Sequence, residues 1–556
     1  MPTIETMTGG EAIVATLEAL GVRHVFGIVS VHNLPIVDAI ARSSVVSMVE
    51  MRHEQGAVHA ADGYARTTGG LGVALASTGP GTANAMGGLF EAQFASSRVL
   101  LLTGQVETTS YGKGRGTLHE AERQVDMLRT VCRYVAHVNH HAAIVPTVLE
   151  AALDITSGRP QPGAIEVPID LQYATGEVRV GEPHPPAVQA PAHASVHRAV
   201  ELLEAATRPL LWAGGGVVSA GASAEFTALA ERLGAPVLTS VEGRGAIAED
   251  HPLALGPHGD LSVLDPVIAD ADVVLAIGTR FQLGNNVAKG MSIPGRLIHL
   301  DADPGVIDRF HPVDVAIVAD ARLGIEALLD GLPDDVRIDD ARIDDAFVDR
   351  AQEASATAQA EARDAMGPDH EKMAEIIRGA LPRDAVVVKD ATVASYVWAN
   401  RTLPVYEQRT SVRPVSMAIG PGLPLAIGAC LGSGRHTLLV QGDGGLMLSV
   451  GELATAVQQE LPLITCVFND QGYGIIRFIQ DLTLGGRRSA VDLVTPDFAA
   501  LAQSVGMVGE QVGTVDAFAT ALGRAVERDG PTLIDVDITQ MAAMTIRPQR
   551  PSTRRR

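Results

Sequence analysis

Short β-rich runs alternate with amphipathic stretches along most of the chain, and this alternation restricts the possible folds more than any other feature. Within the first 180 residues, such runs include RHVFGI, GVALAS and RVLLLTG. Strands that alternate with helices are typical of parallel sheets with crossover helices. Because 556 residues exceed what one hydrophobic core usually holds, we expect an α/β protein of three doubly wound parallel-sheet domains.

The domain boundaries follow from breaks in this alternation. The segment 181–194, GEPHPPAVQAPAHA, interrupts both periodicities and predicts a linker. We therefore predict domains at 1–180, 195–335 and 366–545. The first and third series each contain a small-residue helix, a strand, a Gly-rich turn and a second helix, which is consistent with duplicated domains. Two unrelated doubly wound domains would also share this pattern.

Composition excludes several classes of partner. The formal charge of −22 repels phosphate backbones and anionic lipids, so we expect neither nucleic acid nor a membrane surface as a partner. An anionic ligand would need a local source of positive potential, such as a helix N-terminus or a metal ion. The three cysteines lack CxxC spacing, and the start of the chain lacks a signal-peptide pattern. We therefore expect a cytoplasmic protein.

The most specific motif joins two strand ends in the third series. Asp443 lies in a GDG turn after the strand HTLLVQ, and Asn469 ends the strand LITCVF 26 residues later. A strand, a helix and a return strand fill that length, so both residues should reach the same sheet edge. Carboxylate and amide oxygens suit Mg²⁺. Gly442, Gly444 and Gly445 would let backbone amides approach a diphosphate.

This pair of turns, GDG with NDQGYG, resembles the signature of thiamine-diphosphate enzymes. The resemblance implies thiamine diphosphate and Mg²⁺ as cofactors, with the Gln471 carbonyl as the third protein ligand beside Asp443 and Asn469. Gly472 and Tyr473 would continue the same cofactor-binding loop. The three domains would be pyrimidine-binding, central Rossmann-like and diphosphate-binding.

A second motif, HEQGAVHAADGYAR, resembles the pyrimidine-domain motif of the acetolactate synthase and benzoylformate decarboxylase branch. Glu54 falls on its glutamate, which implies a catalytic acid beside the cofactor pyrimidine. Without the resemblance, Glu54 reads as an acid at a helix N-terminus. The resemblance also implies cofactor contacts at Thr392, Met417 and Ile419, with Ile419 under the bond that joins the two cofactor rings. Taken alone, Ile419 is more typical of a core residue.

The substrate-facing residues depart from one subgroup of this family. Pyruvate-decarboxylase relatives carry an Asp, a pair of adjacent histidines and a Glu near the reacting ring of the cofactor. The places of the Asp and the Glu resemble Val31 and Ile475 here, and the only adjacent histidines, 140–141, lie well downstream of the place of the pair. A site without that acid set protonates the reaction intermediate poorly, which favours carboligation. The remaining candidates for substrate contact are His32, Ser77, His119 and Arg477. His119 is also a candidate catalytic residue. Arg477 either pairs with a substrate carboxylate or is an ordinary surface arginine.

These observations predict a carboligase or lyase acting on 2-oxo acids, similar to acetolactate synthase. The alternatives are a 2-oxo acid decarboxylase of the benzoylformate decarboxylase type, a 2-hydroxyacyl-CoA lyase, and a cofactor-binding regulatory protein without activity. The turn 214–216 resembles a dinucleotide-binding turn, so FAD is a possible further cofactor. Two departures from acetolactate synthases are Ile419 in a place usually held by Met, and GTRFQLGNNV in place of a more charged stretch. The resemblance implies a homodimer or homotetramer with active sites at the subunit interface.

Overall fold

The computed structural model describes residues 4–185, 188–282, 292–333 and 343–545, and within them it contains three parallel six-stranded sheets. One sheet lies in each predicted domain, so the predicted α/β class is confirmed. Each sheet has an apolar cluster on either face, which is the arrangement of doubly wound domains. No helix in the described ranges has the length and apolar character needed to cross a membrane.

The first domain begins with a strand that pairs antiparallel with its last strand, outside the main sheet. Its strands are β1 Glu5–Thr8, β2 His24–Gly27, β3 Ser47–Glu50, β4 Gly72–Ala76, β5 Val99–Gln105, β6 Tyr134–His137, β7 Gly163–Pro168 and β8 Thr175–Val178. Its helices are α1 Gly9–Ala19, α2 Leu34–Arg42, α3 Glu54–Thr68, α4 Pro80–Ala95, α5 Gln124–Leu128, α6 Ile144–Thr156 and α7 Ile169–Tyr173.

The central domain has the sheet order β11-β10-β9-β12-β13-β14, with its first strand next to its fourth. Its strands are β9 Pro209–Ala213, β10 Val237–Thr239, β11 Ala254–Gly256, β12 Val273–Ile277, β13 Arg296–Asp301 and β14 Val315–Val318. Its helices are α8 His193–Ala205, α9 Gly215–Ala220, α10 Ser223–Leu233, α11 Asp265–Asp270 and α12 Ala321–Gly331. The order is that of a Rossmann-like sheet. Residues 283–287 of the GTRFQLGNNV segment lie outside the described ranges.

The third domain completes the chain. Its strands are β15 Val386–Lys389, β16 Ser411–Val412, β17 Thr437–Gly442, β18 Leu463–Asn469, β19 Val508–Val512 and β20 Thr532–Asp537. Its helices are α13 Asp345–Ala380, α14 Gly422–Ser433, α15 Asp443–Leu446, α16 Glu452–Gln458, α17 Gly474–Thr483, α18 Phe498–Ser504 and α19 Val515–Val526. Helix α13 breaks at Gly367, where φ is 72° and Pro368 follows. Its first half packs on the central domain and its second half on the third.

The first and third domains share one strand order, which the central domain lacks. The order is β3-β2-β4-β5-β7-β6 in the first domain and β16-β15-β17-β18-β20-β19 in the third. Numbered within each domain, both read 2-1-3-4-6-5. Because the central sheet differs, the shared order is more than a general property of doubly wound domains and supports the duplication predicted from the sequence.

Helices α3 and α14 join these two related domains at very short range. A Cβ added at Gly63 would lie 2.1 Å from the Leu425 carbonyl oxygen, and one added at Gly428 would lie 1.8 Å from the Ala60 carbonyl oxygen. Only glycine permits such an approach of two helix backbones. This contact fixes the position of the helix that Glu54 begins.

Candidate active site

Asp443 and Asn469 lie at the carboxyl ends of neighbouring parallel strands, as the spacing predicts. Strand β17 ends at Gly442, which pairs with Phe468 of β18, so the two polar residues follow directly on a common edge. One carboxylate oxygen of Asp443 accepts a hydrogen bond from Gly472 N at 2.8 Å. Asn469 Nδ2 donates to Asp535 at 3.2 Å, which turns the amide oxygen toward the loop.

The charges at this edge suit a cation. Burial raises the pKa of Asp443 to about 6, and the negative charge of the neighbouring Asp470 adds to the shift. Burial also raises the pKa of Asp470. A divalent cation would offset both desolvation and repulsion, and the available oxygens are the hard donors that Mg²⁺ prefers. The residues present therefore fit the metal that the motif implies.

Arg477 holds the loop that follows Asn469. Its guanidinium donates to the carbonyl oxygens of Asp470 at 2.8 Å and Gln471 at 2.6 Å, and to the carboxylate of Asp492 at 2.9 Å. Gln471, the implied third metal ligand, has a φ of 59°, which is uncommon for a residue with a side chain. These contacts engage the guanidinium in holding the loop, and the substrate contact of Arg477 stays a prediction.

The predicted glycines are required by close neighbours. A Cβ at Gly442 would lie 2.8 Å from the Thr392 hydroxyl, and one at Gly444 would lie 2.7 Å from the Tyr473 ring. A Cβ at Gly445 would lie 2.3 Å from an Asp390 carboxylate oxygen. These close neighbours admit only glycine at the three positions, while contact of their backbone amides with a diphosphate stays a prediction.

Asp390 is a buried residue of this edge that the sequence analysis missed. Its carboxylate accepts hydrogen bonds from Gly420 N at 2.9 Å and Gln441 Nε2 at 2.6 Å. Burial raises its pKa to about 6. It follows the strand AVVVK, so the rule that polar residues at strand ends share an edge could have identified it.

Met417 and Ile419 lie in the turn that Asp390 supports. Met417 has a φ of 65°, and the Ile419 side chain is 38% exposed. Ile419 is therefore not a core residue of this chain, and its apolar side chain is accessible in the turn. Ile475, by contrast, packs against the apolar cluster of the third domain, in keeping with a structural contribution beside the predicted substrate role.

Glu54 is the first residue of α3 and is half-buried. Its carboxylate accepts a hydrogen bond from Asn84 Nδ2 at 3.0 Å and lies beside the turn at Gly81. A Cβ at Gly81 would also lie 2.9 Å from Ser77 Cβ, so Ser77 and Glu54 are close neighbours. Within the described residues of one chain, Glu54 makes no hydrogen bond or ion pair with the loop at 469–473.

A cluster of serines and histidines lies next to Glu54. Ser30 donates to the Ser77 hydroxyl at 2.8 Å, and Ser77 Oγ is 3.4 Å from His119 Nδ1. The rings of His32 and His119 are 5.4 Å apart. Burial lowers the pKa of His32, and the neighbouring His119 adds to this. The structure thus unites three of the predicted substrate residues, while the adjacent Val31 is exposed.

The turn at 214–216 borders a large cavity. The cavity has a volume of about 700 Å³ and is lined by residues of all three domains, among them Gly215, Gly216, Arg159, Arg280 and Asp301. Burial lowers the pKa of Arg280 to about 10 and raises that of Asp301 to about 6. Both charge signs are therefore available inside a space that would hold a nucleotide-sized molecule.

Family models match all three domains. Residues 7–127 match the N-terminal TPP binding domain of thiamine pyrophosphate enzymes, 196–328 match their central domain, and 392–536 match their C-terminal TPP binding domain. The chain belongs to the thiamine pyrophosphate enzyme family. The N-terminal match includes Glu54, and the C-terminal match includes Asp443 and Asn469.

Similar proteins of the thiamine pyrophosphate family cover nearly the whole chain. A probable 2-ketoarginine decarboxylase of Pseudomonas aeruginosa is 34% identical over 96% of this chain and 94% of its own length. A probable acetolactate synthase large subunit of Methanocaldococcus jannaschii is 31% identical over 98% and 94%. The large subunit of Escherichia coli acetolactate synthase isozyme 3 is 30% identical over 96% and 95%. This chain is accordingly a thiamine-diphosphate enzyme that forms or cleaves carbon–carbon bonds.

Proposed function

We propose that this enzyme is a Mg²⁺-dependent carboligase or lyase of the acetolactate synthase type, with a small 2-oxo acid such as pyruvate as donor. The observation that carries the proposal is that Asp443 and Asn469 lie at the same edge of one sheet, in a chain that also has a carboxylate at Glu54, the first residue of α3. Similarity to acetolactate synthases over nearly the full length supports the reaction type. The exposed apolar Val31 and Ile476 support an uncharged donor side chain.

Asp443, Asn469 and the Gln471 carbonyl would hold Mg²⁺, and Gly442, Gly444 and Gly445 would receive the diphosphate. Thiamine diphosphate, when bound, supplies an electron sink: it accepts the electron pair left on the donor's carbonyl carbon when the neighbouring carbon–carbon bond breaks. The Glu54 carboxyl would hold a proton toward the pyrimidine ring. Thr392, Met417 and Ile419 would complete the cofactor contacts, with Tyr473 closing the loop beside Gly444.

A decarboxylase acting on a larger 2-oxo acid is the second candidate. The His32 and His119 rings, 5.4 Å apart and next to Ser77, supply groups that can return a proton to the product. The similarity to a probable 2-ketoarginine decarboxylase supports the same reaction. Protonation would release an aldehyde, whereas carboligation requires the intermediate to meet a second carbonyl compound first.

The cavity beside 214–216 supports FAD or another adenine nucleotide as an additional ligand. Arg159 and Arg280 would face its phosphates, and Asp301 would accept hydrogen bonds from its hydroxyl or amino groups. A flavin that stays with the protein through gel filtration, detected by its visible absorbance, would support FAD. A colourless protein whose thermal midpoint rises with ADP would favour a nucleotide without flavin.

We also propose that the active enzyme is a homodimer or homotetramer in the cytoplasm. In the described part of one chain, Glu54 bonds to Asn84 and not to the metal loop, and we infer that a second copy brings the two together. Three buried free thiols, Cys132, Cys430 and Cys466, are in keeping with a reducing compartment.

Incubation with thiamine diphosphate, Mg²⁺ and a panel of 2-oxo acids, with and without aldehydes, tests the reaction. Mass spectrometry should detect a 2-hydroxy ketone or acetohydroxy acid product. Free aldehyde as the sole product would select the decarboxylase, and the absence of any carbon dioxide release or condensation product would refute both candidates.

A further inference from the structure

Glu166, on β7, is a fully buried carboxylate that is not among the proposed cofactor and substrate residues. Its oxygens accept hydrogen bonds from Gln124 Nε2 at 2.6 Å and Gln105 Nε2 at 2.9 Å, and one lies 2.7 Å from His137 Nδ1. Among the described residues, no Lys or Arg lies within ion-pair distance of it. The Tyr111 hydroxyl is a further hydrogen-bond partner of this carboxylate. A buried carboxylate is costly unless such hydrogen bonds satisfy it, so the positions of Glu166 and its partners depend on one another.

Glu166 sets the orientation of the Gln124 side chain. Since the Gln124 amide nitrogen points to Glu166 and to the Gly104 carbonyl, its oxygen faces the opposite way. There it accepts hydrogen bonds from Gly79 N at 2.7 Å and from the Thr78 hydroxyl at 3.0 Å. Both N–H groups and the oxygen of the Gln124 amide are therefore engaged. If the amide were rotated by 180°, its nitrogen and oxygen would exchange places and these hydrogen bonds would be lost.

The Gly79 turn connects this network to the active-site cluster. Gly79 has a φ of 60° and precedes α4, and a Cβ there would lie 2.5 Å from the His119 carbonyl oxygen. The backbone of His119 thus rests directly on the turn that Gln124 holds. His119 lies at the end of an exposed segment, 112–119, which contains three glycines with positive φ. Such a segment needs an external anchor to hold one position.

We propose that Glu166 is a positioning residue that fixes the His119 segment against Ser77 through Gln124 and the Gly79 turn. The inference rests on the proposed function, in which His119 faces the substrate. A buried carboxylate that does not itself face the substrate thereby determines where the histidine lies. Loss of the carboxylate would weaken the hydrogen bond that Gln124 Nε2 donates and so loosen the amide that holds Gly79 N.

The test compares Glu166→Gln and Gln124→Met with Glu150→Gln, a control that makes the same change at an exposed carboxylate of the first domain. We expect kcat to fall by about 10-fold to 10²-fold in the first two variants, the scale of a misplaced catalytic group, with the donor KM little changed. Limited trypsin cleavage after Lys113 and Arg115 should also be faster, because both residues lie in the released segment. The control should match wild type in all three measurements.

The outcomes are distinct. Wild-type kcat and wild-type cleavage in both variants would overturn the proposal, and so would a lower kcat with unchanged cleavage, because Glu166 would then act by another route. If Glu166→Gln does not fold, Gln124→Met decides by the same criteria. If wild-type protein forms no product from any 2-oxo acid, the proposed function fails, while the cleavage rates still decide whether Glu166 anchors the segment.

Discussion

At the scale of single residues, Glu54 has the most specific expected role. Glu54→Gln keeps the shape and the contact with Asn84 but cannot deliver the acidic proton. We expect the protein to fold and bind cofactor, while turnover falls by about 10²-fold or more, the scale of a lost acid–base group. Exchange of the cofactor C2 hydrogen in deuterated water should slow as well. Glu50→Gln, four residues away on the surface, is the control; equal behaviour of the two variants would contradict the assignment.

The proposed metal ligands make a different prediction. Asp443→Ala and Asn469→Ala each remove one oxygen that water replaces imperfectly, so we expect weaker Mg²⁺ and cofactor binding and partial return of activity at high concentrations of both. Titration calorimetry with Asp516→Ala, an exposed aspartate of α19, as control measures this. Unchanged cofactor affinity in both ligand variants would place the metal elsewhere.

Asp390 should impose a pH dependence on stability. Burial raises its pKa to about 6 from 3.8, so the folded state holds the proton more tightly than the unfolded state. The contribution of Asp390 to the free energy of unfolding is therefore complete below about pH 4 and is lost as the pH rises through about 6. The loss amounts to about 3 kcal/mol, because each pKa unit corresponds to about 1.36 kcal/mol.

Asp390→Asn should remove this dependence without disrupting the turn. The Gln441 Oε1 atom is buried without a hydrogen-bond partner, so this amide can flip and accept from the new Asn. We expect the thermal midpoint of cofactor-free wild type, relative to the variant, to fall as the pH rises between about 4 and 7. Parallel midpoint curves would show that Asp390 does not titrate in this range.

At the scale of elements, the contact of α3 with α14 should be the least tolerant of added volume. Gly428→Ala would place a methyl group 1.8 Å from the Ala60 carbonyl oxygen, and the backbone has to move to admit it. We expect destabilisation of about 1–3 kcal/mol or more, the usual cost of overpacking. Gly379→Ala is the matched control, because no atom lies within 4 Å of its added Cβ. Equal thermal midpoints of the two variants would disprove the tight contact.

At the scale of the whole molecule, the proposed shared site predicts complementation. If Glu54 of one subunit serves the metal loop of another, co-expressed Glu54→Gln and Asp443→Ala chains form mixed dimers with one intact site. Random pairing should then restore up to about one quarter of wild-type activity. Each variant alone is the control. No recovery in isolated mixed dimers would mean that each chain builds its own site.

The sequence by itself determined the features that depend on local order. Alternating strands and helices specified three parallel sheets, and the strand ends at Asp443 and Asn469 had to meet because parallel strands share a carboxyl edge. The motif HEQGAVHAADGYAR likewise indicated a small-residue helix that begins near Glu54, which is α3. Such features are predictable because the interacting residues belong to one short, regular unit of chain.

The tertiary structure alone decided features built from residues far apart in the chain. Glu166 contacts Gln124 across 42 residues, and Arg409 reaches from the third domain to Thr68 of the first. No local pattern indicates that Asp390 supports Gly420, or that the Asp492 carboxylate engages Arg477. Hydrogen bonds of this kind depend on side-chain orientation and on burial, and both are established only when the layers of the folded domains come together.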